Sequence, residues 1–186
     1  MINDLKNPPL RNHEKDDLLS LRSSEPIKLS KEVAEHWMRR LLKRAELTGS
    51  QGEVPVSAII LNENGLCIGY GDNTRNKNKD PLGHAELIAI KQASLLLGDW
   101  RLNSCTLIVT LEPCPMCAGA IVQARIGQLI YGAYDPKRGA MGSVLDLSKN
   151  KSSHHKMIVR GGVMEEEASK QLRNWFKTNS FIKKNH

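Results

Sequence analysis

Residues 105–134 read CTLIVTLEPCPMCAGAIVQARIGQLIYGAY. Cys105 to Leu111 is a short apolar run rich in β-branched residues, the pattern of a central strand buried on both faces. Pro113 suits the first turn of a helix, where a missing N–H costs nothing, and that helix is expected to run through Ala124. Leu129 to Tyr134 reads as another strand. A helix between two buried strands is a βαβ unit, and its strands lie parallel.

Working outward toward the N-terminus, a helix is expected from about His84 to Leu97, stopped by Gly98. Before it lies a polar loop, Asp72 to Gly83, carrying Arg75, Lys77 and Lys79. Asn64-Gly65 is a hairpin signal between a buried strand, Val54 to Leu61, and a second strand, Leu66 to Gly71. Further back, Ala34, Trp37, Met38, Leu41, Leu42 and Ala45 make one apolar helix face, with Ser30 as N-cap and Thr48-Gly49 as the end. On the other side come a Gly-rich loop, Asp135 to Ser143, and a last strand, Lys156 to Val159. A final helix opens on Glu165, Glu166 and Glu167, where negative charge suits the positive end of the helix dipole. Alternating strands and helices imply an α/β fold: a three-layer α/β/α sandwich around a mixed, mostly parallel five-stranded sheet. Ligands should bind at the carboxyl ends of its parallel strands.

With 186 residues the chain can build one domain with a real core. Residues 1–29 are polar and without a clear period, and read as a flexible N-terminal extension; residues 30–186 form the domain. No apolar run approaches the eighteen or so residues that span a bilayer, and MINDLKNPPL lacks the pattern of a secretory signal. A soluble, cytoplasmic protein is expected. The four cysteines are too few for a disulfide-stapled scaffold. Cys67 and Cys105 sit in apolar stretches and read as small buried residues. The net charge of +7 is concentrated: residues 168–186 carry Lys170, Arg173, Lys177, Lys183 and Lys184 with no acidic residue, and residues 137–160 are also basic. Two such segments suggest a polyanionic partner, although charge alone fits a solvated surface equally well.

Two short motifs carry chemistry: His84-Ala85-Glu86 and Pro113-Cys114-Pro115-Met116-Cys117. Either alone is ambiguous, since a lone C-x-x-C also describes a thioredoxin-like redox pair. Together, and in this order, they are the signature of zinc-dependent nucleobase deaminases. Both fall at expected helix N-termini, where the dipole favours the thiolates that zinc requires. His84, Cys114 and Cys117 give three protein ligands and leave one tetrahedral position open, the mark of a catalytic rather than a structural site. A structural site would need a fourth Cys or His, and the only other cluster, His154-His155, lies in a polar loop. Two thiolates neutralise Zn²⁺, so such a metal acidifies water less than one held by three histidines, which reaches a pKa of about 7. Glu86, two residues from a ligand, can take the proton from water and deliver protons to a ring nitrogen and to leaving ammonia. A zinc-containing RNA-binding subunit without activity would gain nothing from that carboxylate.

The sequence resembles the bacterial tRNA-specific adenosine deaminases of the cytidine-deaminase-like superfamily, from about Ser30 to Phe181. The resemblance rests on EHWMRRLLKRA (35–45), VPVSAII (54–60), DPLGHAE (80–86), VTLEPCPMCAGAIVQARIGQLIYGAYDPKRGAMGSVLD (109–146) and WF (175–176). It implies a deaminase domain that converts adenosine to inosine at the wobble position of a tRNA anticodon. It further implies a homodimer with one zinc per subunit on His84, Cys114 and Cys117, and Glu86 as proton shuttle. Asn73 falls where the family sets an Asn against the target base. Asp135 lies in the loop that, in members of that family, touches the RNA strand beside the flipped nucleotide, and the resemblance implies that the basic final helix would meet the anticodon stem. A free-base or nucleotide deaminase for cytosine or guanine is the alternative on the same fold. Two departures are visible: Ser57 for the commoner Gly, and Leu82-Gly83 for Thr-Ala, both near the expected pocket.

Overall fold

The computed structural model describes residues 28–184, and side chains within 28–179. The extension expected over residues 1–29 therefore lies almost wholly outside the described residues. Helix α1 spans Lys31–Ser50, β1 Ser57–Leu61, β2 Cys67–Asp72, α2 Arg75–Asn78 and α3 Ala85–Leu97. They are followed by β3 Thr106–Leu111, α4 Pro115–Gln123, β4 Gln128–Ala133, β5 Ile158–Arg160 and α5 Glu165–Lys184. The five strands form one sheet in the order β2-β1-β3-β4-β5.

The sheet is mixed, as expected, but its pairings divide evenly. β1 is antiparallel to both β2 and β3, while β3–β4 and β4–β5 are parallel. Four of the five strands nonetheless run in one direction, and β1 alone opposes them, because the N-terminal hairpin places β1 between β2 and β3. The helices form the two outer layers. α1 and α5 cover one face: a Cβ at Gly132 of β4 would press on Ala168 and Met38 and collide with the Thr110 carbonyl oxygen. α3 and α4 cover the other. Gly69 and Gly71 of β2 face the backbone of α3 at Ala89 and Ala85, an approach that only a residue without Cβ permits. Between the layers Ile59, Ile60, Leu107, Ile108, Leu129 and Ile130 are fully buried, each such side chain stabilising by about 1.5–3 kcal/mol through burial.

Local signals explain the element ends. Ser30 caps α1 by accepting from the Val33 N–H at 3.3 Å, and α1 runs on to Ser50, past the expected Thr48-Gly49 stop. β1 begins at Ser57 rather than Val54, as Pro55 has no N–H for the ladder. α4 starts at Pro115 rather than Pro113. A residue preceding proline is kept out of the helical region, so Cys114 stays extended (φ −70°, ψ 170°) and becomes the N-cap. His84 is likewise the extended N-cap of α3 (φ −92°, ψ 143°). The polar loop before it contains the short helix α2. Among the described residues no helix is long and apolar enough to cross a membrane.

Candidate active site

The N-termini of α3 and α4 meet, and their caps bring His84, Cys114 and Cys117 together. The three donor atoms all lie within 4.8 Å of one another. His84 Nδ1 is 3.4 Å from Cys117 Sγ and 3.9 Å from Cys114 Sγ. Bond lengths of 2.0–2.1 Å to nitrogen and 2.3 Å to sulfur, at tetrahedral angles, give an N···S edge of about 3.6 Å. The donor set and its spacing therefore fit a zinc ion. Among the described residues this is the one group of three or more His, Cys, Asp or Glu placed to hold a metal. His154 and His155 take no part in such a group, and His155 Nε2 pairs with the Ile126 carbonyl at 2.8 Å.

Electrostatics divide the protons unequally. Cys114 is pulled down to about 3, first because the Cys117 thiol donates to it, and further by His84 and the Cys117 backbone N–H. Cys117 is pushed up for the reciprocal reason, as the donor of that bond, and by burial. The hydrogen bond to Cys114 raises His84 against the opposing effect of its burial. Glu86, 4% exposed in the first turn of α3, is raised chiefly by burial. It lies close enough to the Cys117 thiol to act on it. A carboxyl held above its ordinary range suits a group that must both accept and return a proton.

Asn73 and Asp135 are placed differently from His84, Cys114 and Cys117. Asn73 is buried; its Oδ1 accepts from Ala85 N at 3.1 Å and its Nδ2 donates to the Val54 carbonyl at 3.3 Å. His84 makes no side-chain cap to α3, so Asn73 supplies that acceptor from outside the helix. One amide hydrogen is left over. The Asp135 carboxylate turns back on its own loop, accepting from Lys137 N at 2.9 Å and Arg138 N at 3.0 Å. Ser57, expected near the pocket, lies on the α1 face instead. Its Oγ donates to Asp72 Oδ1 at 2.7 Å, beside the Arg44–Asp72 ion pair. Gly83 is set by the close approach of Thr74 and Arg75, and the exposed Leu82 precedes it.

Sequence reasoning missed Glu112. It is 2% exposed, and it accepts from Asp135 N at 3.1 Å, Met141 N at 3.1 Å, Ser143 N at 3.0 Å and the Ser143 hydroxyl. A charged residue at the end of an otherwise apolar strand was the available signal, because a buried carboxylate must find donors.

A family model of MafB19-like deaminases matches residues 32–173. The tRNA-specific adenosine deaminase of Bacillus subtilis is 40% identical over 143 residues, 77% of this chain and 88% of that one. This chain belongs to the tRNA-specific adenosine deaminase family. The family member from Haemophilus influenzae is 39% identical over 152 residues, 82% of this chain and 88% of its own. A solved tRNA A34 deaminase, described for A-to-I editing at the wobble position of transfer RNA, superposes with a TM-score of 0.70 at 39% identity. That superposition covers 73% of this chain and 98% of the other.

Proposed function

We propose that this member of the tRNA-specific adenosine deaminase family hydrolyses adenosine to inosine at the wobble position of a tRNA anticodon, using one zinc per subunit. The observation that carries the reading is the His84–Cys114–Cys117 triangle with the buried Glu86 beside it. Zinc, when bound by these three side chains, would supply the Lewis acidity that makes water a nucleophile near neutral pH. Glu86 takes a proton from the attacking water, passes it to N1 of the base, and delivers a proton to the ammonia that leaves from C6. The leftover amide hydrogen of Asn73 is our candidate contact to the base. The Asp135 loop, with Lys137 and Arg138 exposed on it, is our candidate contact to the adjoining RNA strand. Lys170, Arg173 and Lys177, exposed on α5, would meet phosphates of the anticodon stem, which give affinity without sequence information. The family resemblance also implies a cytoplasmic homodimer, and we include both in the reading.

The deciding experiment assays an anticodon stem-loop with adenosine at the wobble position beside free cytidine, deoxycytidylate, guanine and adenosine. Inosine in the stem-loop and silence on the small substrates is the expected result. Turnover of a free base or nucleotide with the stem-loop untouched would overturn the substrate while keeping the chemistry.

Zinc affinity should rise with pH. His84 is raised and Cys117 keeps its thiol proton, so a cation must displace protons from its own ligands. The sign is fixed: fewer bound protons at higher pH means tighter binding, with the gain continuing above the ordinary imidazole value of about 6.5. Competition against a chromogenic chelator between about pH 6 and 8 reads it. A flat profile would count against this ligand set.

A further inference from the structure

Glu112 lies two residues before Cys114 and is buried, yet the four donors it accepts all come from one loop, residues 135–143. Both carboxylate oxygens are used: Oε2 by Asp135 N and the Ser143 hydroxyl, Oε1 by Met141 N and Ser143 N. The neighbouring Pro113 carbonyl takes a further donor from that loop, Ala140 N, at 2.9 Å. Gly139 is packed so closely on the Glu112 carboxyl that a Cβ there would overlap it. The loop is thus wrapped around one side chain. Charge-assisted bonds of this kind are roughly twice as strong as neutral ones, and burying a carboxylate is costly unless every lone pair is filled. A loop that needed only to close the chain would not require this arrangement.

What the loop presents outward is charge. Asp135 folds back to cap Lys137 N and Arg138 N, leaving both basic side chains exposed. From this geometry we infer that Glu112 is a positioning residue that fixes Lys137 and Arg138, relative to Cys114, for the phosphates flanking the reacting nucleotide. The inference rests on the tRNA substrate proposed for this site. It makes the preference for a base within an RNA strand a property of a residue outside both the metal site and the base pocket. Because Glu112 anchors backbone rather than substrate, its loss should weaken strand binding and spare the chemical step.

Three variants test this from both sides of the interaction. Glu112→Gln puts an NH₂ against donors that need an acceptor. Gly139→Ala leaves every polar group in place and pushes the loop off the carboxyl. Ser143→Ala removes one donor and should give a milder version of the same change. Each is assayed on the wobble-adenosine stem-loop as zinc-loaded full-length protein. We expect KM to rise about tenfold or more in the first two, with kcat little changed and zinc content unaltered. The salt dependence of binding should flatten by about 0.7 in log–log slope for each phosphate that the loop no longer neutralises, a readout that general destabilisation would not move. If Glu112→Gln does not fold, Gly139→Ala and Ser143→Ala decide. Unchanged KM and salt slope in folded variants overturns the inference, as does loss of zinc with a falling kcat, which would assign Glu112 to Cys114 instead. A parent protein silent on the stem-loop sinks the tRNA reading and this inference together; an active parent with indifferent variants sinks the inference alone.

Discussion

Replacing Glu86 by Gln should leave a folded, zinc-binding protein whose kcat falls by about 10²–10⁴-fold, the contribution of a positioned general acid–base group. The substitution keeps the shape of the side chain and removes only its ability to hold and release a proton. Metal content should not change, since Glu86 stands outside the donor triangle. Stability should not fall either. Burial raises Glu86 in the folded protein, whereas the unfolded chain ionises it at an ordinary value of about 4.3. The folded state therefore loses stability as pH rises from that ordinary value through the raised folded value, and it carries the full cost above the latter. A neutral Gln removes it, so the melting temperature at pH 7 should stay level or rise. Three measurements check this: single-turnover deamination, zinc stoichiometry and thermal unfolding. Full turnover in the variant would refute the role given to Glu86; loss of zinc would show that it belongs to the coordination shell.

Cys117→Ser should be more damaging, since it removes activity and metal together. Cys117 is fully buried, and its Sγ is the sulfur nearer to His84 Nδ1. A serine hydroxyl is a poor zinc ligand, and two remaining donors do not make a site. Residues that merely support a metal ligand cost about 10–100-fold in affinity when removed, so a ligand itself should cost more. Binding energy at such a site is also folding energy. The variant should therefore melt lower than the zinc-loaded parent and should no longer gain stability when zinc is added. Cys67→Ser is the matched control: a free, half-buried thiol on β2 whose Sγ faces the Gly69 carbonyl at 3.5 Å. It should leave zinc content and turnover as they are. A Cys117→Ser protein with one zinc and normal turnover would exclude the proposed ligand set.

The legibility of the fold in the sequence follows the range of each signal. The apolar run before Glu112 announced β3, Asn64-Gly65 announced the β1–β2 hairpin, and Ser30 announced the start of α1. These depend on residues within a turn or two of one another. The two motifs went further, since each sits at the start of a helix and cap geometry aims its side chains the same way. The α4 start was misplaced by two residues because two prolines compete for it, and the choice depends on Cys114 being held extended by Pro115.

Asn73, Ser57 and Glu112 could not be placed from the sequence. Their partners are 12, 15 and 23 to 31 residues away, across loops whose closure is not written in local pattern. By itself the sequence determined the order of the main elements and the grouping of His84, Cys114 and Cys117 with Glu86 nearby, because spacing of a few residues sets which groups share a helix end. The tertiary structure decided that β1 lies between β2 and β3 and that Ser57 faces away from the pocket. It also decided that a buried Glu112, two residues before Cys114, ties down the basic loop 135–143. Each of these is settled by long-range pairing of strands and backbone donors, which becomes fixed only when the core packs and unpaired polar groups must find partners out of reach of water.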